Sequence, residues 1–331
     1  MPTYNVAPFI KEAIESVLRQ TYRNFELLVI DDCSTDETIE VVRGIKDSRI
    51  RVVQNEKNLG LADNLNRGLA LINSEYVARM DGDDIADPHW LGREMDVLDA
   101  HPDIGICGAG FKRFGATTTC GYFPEHHEDI AANMLFECSV IVPTFRMSLF
   151  REHGLRYKTE AFPAEDYQFW AECVRITKIY NIQDPLFHYR MHSTQICSAF
   201  HEEQQNKVKE VKLYMLDWLS NDFSEEEKNY YLGAFNDSHI VSKQDLTMRK
   251  DFCNRLIEKN GCVGHFDEEA LRRRLDKHLT LTLYNTIVDR YFAEGYSVPR
   301  YLHYLSSGLA MKTTRHYETK FFLKSLLFKK A

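Results

Sequence analysis

Tyr76-Val77-Ala78-Arg79-Met80-Asp81-Gly82-Asp83-Asp84 is an apolar, strand-like run that ends in three carboxylates within four residues. An ordinary turn needs no such density of negative charge. At the carboxyl end of a parallel strand, where open α/β sheets bind their ligands, carboxylates this close repel one another unless a cation sits between them. Their hard oxygen atoms suit Mg²⁺ or Mn²⁺, and a cation so held can bind a phosphate. The alternative is a solvated turn, since Asp and Gly are common turn formers. The cluster alone does not separate the two readings, so its surroundings must.

Upstream of this stretch, helical and strand periodicities alternate. Phe9, Ile10, Ala13, Ile14, Val17 and Leu18 recur at helical spacing, and Phe25 to Ile30 reads as a buried strand. Ser34 followed by Glu37 is a capping-box signature that opens a helix through Ile45. A short strand at Ile50 to Val53, a loop at Asn58-Leu59-Gly60 and a helical stripe of Leu61, Leu65, Leu69 and Ile72 then lead into Tyr76. This βαβ rhythm predicts an α/β fold with a mainly parallel sheet flanked by helices. Asp31-Asp32 and Asp81 to Asp84 each fall just past a strand, so both should open on one edge of that sheet. Pro2-Thr3-Tyr4-Asn5 reads as the end of a strand whose body should lie upstream, so either the reading frame starts too late or the fold does without that strand.

Downstream, the pattern predicts helices over 88–101 and 127–136, a short strand at Ile104 to Cys107, and a strand at Ser139 to Thr144. Glu165-Asp166 opens a helix, where acids in the first turn are favoured by the macrodipole whatever else they do. Leu186 to His192 alternates as a strand and delivers Arg190 and His192 to one face, although a lone histidine is more often structural than a ligand. From about residue 200 the pattern is helix after helix, with Val208, Val211, Met215, Trp218 and Leu219 as one stripe and further helical periods over 242–259 and 267–292. Two domains are expected, residues 1–200 carrying the chemistry and 201–331 a helical region. The end is basic and aromatic: from residue 312 onward, six Lys and Arg face only Glu318. This tail is read either as an attachment to an anionic membrane surface or as a helix packed on the domain with its lysines snorkelling.

Composition limits the classes available. The 331 residues are 44% hydrophobic and 27% charged, as in globular proteins. A net charge of −8 argues against a nucleic-acid partner. No apolar run reaches the length of a membrane span, and Met1 to Asn5 lacks the basic and apolar regions of a cleavable signal. Eight cysteines without Cys-x-x-Cys spacing argue against a zinc site or a disulfide framework. A cytoplasmic location is expected, with the tail reaching the cytoplasmic face of a membrane if it attaches there.

Six motifs occur in an order that resembles family-2 glycosyltransferases: Pro2-Thr3-Tyr4-Asn5, Asp31 to Asp36, Asn58-Leu59-Gly60 with Asn66-Arg67-Gly68, Asp81 to Asp84, Glu165-Asp166, and Tyr189 to His192. The resemblance covers residues 1 to about 200. Within that family the chain looks most like bacterial lipooligosaccharide enzymes that transfer N-acetylhexosamine or galactose, through Gly154 to Tyr157, Ala164 to Trp170 and Tyr189 to Ser198. The resemblance implies a GT-A fold, Rossmann-like and nucleotide-sugar-binding, a UDP-sugar donor, Mn²⁺ or Mg²⁺, and a saccharide or lipid-linked oligosaccharide acceptor. Carried over, Pro2, Thr3, Tyr4, Asn5, Asp32, Asn58, Asp81 and Arg190 form the donor site: Tyr4 stacks on uracil, Asp32 bonds the base, Asp81 approaches the ribose and Arg190 the diphosphate. Asp83 and His192 bind metal, and Asp166 is the general base. Asp84 receives no role. The chain departs from the family in lacking its first central strand, and the expectation is that the natural reading frame extends upstream by about 5 to 8 residues.

This chemistry suits the residue types. Breaking a glycosyl–phosphate bond builds negative charge on UDP, which a divalent cation stabilises, and a carboxylate can take the proton of an attacking hydroxyl. Three other readings compete. An aspartyl-nucleophile phosphohydrolase leaves Glu165-Asp166 and Tyr189 to His192 unexplained, a nucleotidyltransferase wants a glycine-rich loop near the start, and an inactive glycan-binding subunit of a polysaccharide assembly complex would not need every acidic motif.

Overall fold

The structure is a computed structural model that describes residues 1–115, 118–192, 195, 200–240, 242–307, 309 and 315–327. The chain forms two compact units, Met1–Met215 and Leu216–Ala331.

The first unit opens with the expected alternation: β1 (Pro2–Thr3), α1 (Ala7–Leu18), β2 (Leu27–Asp31), α2 (Thr38–Gly44), β3 (Ile50–Gln54), α3 (Leu61–Leu71) and β4 (Tyr76–Ala78). β1, β2 and β3 pair in parallel. All five residues of β2 are buried, as in a strand covered on both faces. One of those covers is α1, which buries Ile10, Ala13, Ile14 and Val17. The capping box expected at Ser34 does not form. Ser34 Oγ instead donates to Asp31, at 2.6 Å, and Asp36 Oδ1 accepts from the Thr38 amide at the start of α2, at 3.0 Å.

A second sheet, in the order β4-β8-β6-β9-β5, completes this unit with β5 (Ile85–Ala86), β6 (Ile104–Gly115), β8 (Thr144–Arg146) and β9 (Lys178–Met191), while β7 (Thr119–Gly121) pairs with β6. β6 and β9 run parallel, and the other pairs in this sheet are antiparallel. Around it lie α4 (Trp90–Ala100), α5 (His127–Asn133), α6 (Met147–His153) and α7 (Glu165–Cys173). Two sequence expectations need correction here. The strand expected at Ser139 to Thr144 begins only at Thr144, because Val142 takes a left-handed backbone (φ 43) and Pro143 has no amide to donate. The strand expected to stop at Cys107 runs on to Gly115, its apolar rhythm interrupted by Gly108 and Gly110.

β1 is a two-residue stub, and the expected gap lies beside it. A cavity of about 690 Å³ is lined on one side by Leu27, Leu28 and Ile30 of β2 and on the other by Tyr76, Val77 and Ala78 of β4. Met1 reaches this cavity, and its amino group donates to the Leu28 carbonyl at 2.8 Å. Among the described residues β4 is an edge strand.

α8 (His201–Leu219) leads into the second unit, which contains α9 (Glu225–Tyr230), α10 (Lys243–Val263), α11 (Glu268–Ile287), α12 (Val298–Ser306) and α13 (Arg315–Leu326). Three of these helices, α9, α10 and α11, start on side-chain caps: Ser224 in a capping box with Glu227, Ser242 and Asp267. The core here includes Ile240, Leu246, Ile287, Phe292, Tyr304 and Phe321. No described helix is long and apolar enough to cross a membrane. Lys312, Phe328, Lys329 and Lys330 of the basic tail, and residues 193, 194 and 196–198 of the Tyr189 to Ser198 motif, lie outside the described residues.

Candidate active site

The carboxyl ends of β1, β2 and β4 bring the acidic motifs together. Thr3 is the register partner of Asp31, and the Gly82 loop lies against Thr3: a Cβ at Gly82 would stand 2.9 Å from Thr3 Cγ2 and 3.2 Å from Ile10 Cδ1. Only a glycine between Asp81 and Asp83 allows that approach. The two acidic clusters therefore lie close together, although β2 and β4 belong to different sheets rather than to the one parallel sheet expected.

On the β2 side, Asn5 sits at φ 52. Its amide donates to Ser34 Oγ at 3.0 Å, and its side-chain oxygen accepts from the Thr35 amide at 2.8 Å. Tyr4, between these anchors, is exposed, whereas Pro2 and Thr3 are buried. Asp32 is buried and its carboxylate accepts from the amides of Leu59 and Gly60, both at 2.9 Å, and from Asn55. Asn58 Nδ2 donates to the Asp32 carbonyl at 3.2 Å. Asp32 thus holds the Asn58–Gly60 loop, which turns into α3 through Gly60 at φ 85, a conformation that favours glycine.

The three carboxylates after β4 have different partners. Asp81 meets Arg79, with Nε and Nη2 each 3.2 Å from Oδ1. Asp83 Oδ2 is 3.1 Å from His192 Nε2, and the Asp83 carbonyl accepts from Arg190 Nε at 2.7 Å. Burial, then the Asp81 charge, pushes the Asp83 carboxyl up, opposed by His192. Asp84 is buried and accepts from the Arg190 amide at 2.7 Å. Burial and the charges of Asp83 and Asp81 push it up to about 9. Asp84, without a role on sequence grounds, is the clamp that fastens the end of β9 to the acidic loop. Arg190 then ion-pairs with Glu12 at 2.6 Å, its guanidinium 5.0 Å and 4.6 Å from the ring centres of Phe9 and Phe114.

Arg79 is the residue that sequence reasoning missed. Its side chain is 8% exposed, and besides Asp81 it contacts Asp166 through Nη1. Asp166 lies in the first turn of α7, whose N-cap residue is Ala164 and has no capping side chain. The Asp81–Arg79–Asp166 bridge places the acidic loop and the expected base in one cleft. Desolvation raises the pKa of Asp166 while the Arg79 cation opposes the rise. Next to it Glu165 is buried, its Oε2 has no hydrogen-bond partner, and burial followed by the Asp166 charge pushes its carboxyl up to about 7. The available signal for Arg79 was a cation inside a strand-like run, which must find a counter-charge when buried.

Asp83 and His192 form a facing pair, and among the described residues no three His, Cys, Asp or Glu side chains converge. That donor set fits a cation such as Mg²⁺, which takes one or two protein carboxylates and completes its shell with water and substrate phosphate. The crowding of Asp81, Asp83 and Asp84, which raises the last two, is the repulsion such a cation relieves.

Three parallel strands, a second mixed sheet that carries the acidic loop after β4, and flanking helices match the GT-A fold. Residues 1–158 match Glycosyl transferase family 2. An uncharacterized glycosyltransferase of Haemophilus influenzae is 35% identical over 234 residues, which span 66% of this chain and 72% of that protein. The chain belongs to glycosyl transferase family 2. Its fold is similar to that of Staphylococcus aureus TarS, residues 1–349, in complex with UDP-GlcNAc, with a TM-score of 0.58 at 19% identity over 85% of this chain and 88% of that one. It is also similar to the mannosyltransferase PcManGT of Pyrobaculum calidifontis in complex with GDP-Man and Mn²⁺, with a TM-score of 0.50 at 17% identity over 98% of this chain and 83% of that one.

Proposed function

We propose that this glycosyltransferase moves a hexose or N-acetylhexosamine (GlcNAc, GalNAc or Gal) from a UDP-sugar to a saccharide acceptor, with inversion, in the assembly of bacterial lipooligosaccharide, O-antigen or capsule. The observation that carries this reading is the Asp81–Arg79–Asp166 bridge, which joins the phosphate-side loop to a carboxylate able to take a proton.

In this reading Tyr4 lies under the uracil, and the loop held by Asp32 and Asn58 borders the nucleoside. Asp81 faces the ribose and Arg190 the diphosphate. Asp83 and His192 would hold Mn²⁺ or Mg²⁺, which as a Lewis acid offsets the charge that develops on the leaving diphosphate. Asp166 accepts the proton of the acceptor hydroxyl as that oxygen attacks the anomeric carbon, the C–O bond to phosphate breaks, and UDP leaves. One displacement with one base inverts the anomeric centre, whereas retaining hydrolases set two carboxylates about the scissile bond. Two neighbours support the outline from their own complexes, TarS with UDP-GlcNAc and PcManGT with Mn²⁺.

The test is UDP release from a panel of UDP-sugars, with and without galactose-terminated acceptors, in Mn²⁺, Mg²⁺ or chelator. Acceptor- and metal-dependent release from one or two donors is expected. Donor binding without release under every condition would leave a glycan- or nucleotide-binding protein instead.

A further inference from the structure

The second unit carries an apolar surface that the site chemistry does not use. Fourteen large apolar side chains are exposed among the described residues, and half of them fall within residues 298–327. They lie on two helices. On α13, Phe321 is fully buried and packs 5.2 Å from the ring of Phe292, while Phe322, Leu323 and Leu326 form a stripe on the opposite, solvent side, continued by Leu327. On α12, Tyr304 is fully buried whereas Leu302 and Leu305 are exposed. The two stripes adjoin where the Tyr301 and Phe322 rings stand 5.6 Å apart. α13 is thus apolar on both faces: one completes the core, and the other faces water. Exposed apolar patches of this kind mark interaction sites.

The charge around the stripe identifies what covers it. In a chain of net charge −8, residues 312–331 hold six Lys and Arg against one Glu. Lys320 and Lys324 flank the buried face, their ammonium groups 4.9 Å and 4.7 Å from the ring centres of Tyr284 and Tyr296. An apolar face on a segment with this excess of cations complements an anionic bilayer surface, where apolar burial and attraction to acidic headgroups add. Covering the face with a second copy would instead bring two basic segments together, at a Coulombic cost that grows as water is excluded.

We propose that α12 and α13 form one docking surface for an anionic phospholipid bilayer, with Leu302, Leu305, Phe322, Leu323, Leu326 and Leu327 entering the headgroup–acyl boundary. The full chain is floated with vesicles of phosphatidylcholine alone or mixed with phosphatidylglycerol, at low and high salt. Binding to the mixed vesicles, weaker in phosphatidylcholine and in salt, is expected. F322Q/L323Q/L326Q, which alters only exposed side chains and should keep the wild-type circular dichroism and melting profile, should lower partitioning at least about tenfold. Equal partitioning of wild type and a folded triple variant would overturn the proposal, as would equal binding to both lipid compositions. So would a wild-type dimer in sedimentation that the triple variant converts to monomer, because the face would then belong to a second copy.

Discussion

Arg79 is the single side chain on which the site turns, because two carboxylates share its charge. If Asp166 is the base, Asp166→Asn keeps the shape and removes the proton acceptor. Transfer should fall by about 10²–10⁴-fold, the usual range for a general base, while calorimetry shows donor affinity retained; loss of affinity would move Asp166 into the donor site. Arg79→Gln tests the bridge. The Arg79 cation holds the Asp166 pKa down against desolvation, so its removal lets that pKa rise. The base then stays protonated to higher pH, and the acidic limb of kcat/KM for UDP release should move to higher pH. An unmoved limb would mean that Arg79 does not act on the base. Asp32 shows that a motif residue can be occupied by the fold itself, since its carboxylate already serves two loop amides and Asn55.

At the scale of elements, β8 depends on a buried acid of α4. Glu94 is fully buried, and one oxygen accepts from the amide and hydroxyl of Thr144, at 2.9 Å and 2.6 Å. Burial raises its pKa well above 4.5. Above that pH the unfolded chain releases this proton and the folded chain keeps it, so stability falls as pH rises, by about 1.4 kcal/mol per unit, until the folded group ionises. Glu94→Gln retains an acceptor for Thr144 and removes the titration. Its stability advantage over wild type in urea unfolding should therefore widen from pH 5 upward; a constant difference would refute the assignment. The slot between β2 and β4 makes a second element-scale prediction. Five alternating Val and Ile residues joined ahead of Met1 would pair with both strands and fill the slot. They would also replace an amino group, which burial pushes down to about 5, with an uncharged amide. The midpoint of thermal unfolding should rise, by about 2–4 °C for each kcal/mol contributed, and an unchanged midpoint would show that the slot does not accept a strand.

For the whole molecule, the two units have separate cores, one centred on Ile10, Val29, Trp90 and Phe187 and the other on Ile287, Phe292, Tyr304 and Phe321. We predict that they unfold as separate cooperative blocks. Phe292→Ala, which removes a fully buried ring from the second core, should cost that block about 3–5 kcal/mol and lower one calorimetric transition while the other stays in place. Movement of both transitions together would show a single block. The bilayer proposal belongs to the second block, so that variant should also weaken vesicle binding without changing donor affinity.

Much of this was legible locally. The alternation of helix and strand through Ala78, the acidic loop just past a strand and the helical second half follow from side-chain periodicity and turn chemistry, which act over a few residues. So did the glycine within the Asp81–Asp84 cluster, though the reason for it, the contact with Thr3, was not. What the tertiary structure decided lies between residues far apart in the chain. Arg79 meets Asp166 across 87 positions, Asp84 clamps Arg190 across 106, and β6 extends to Gly115 because β9 runs beside it. Residues that distant leave no period and no spacing rule behind. Their pairing is set by which buried charge and which open backbone edge the packed sheet brings together, and only the fold supplies that neighbour.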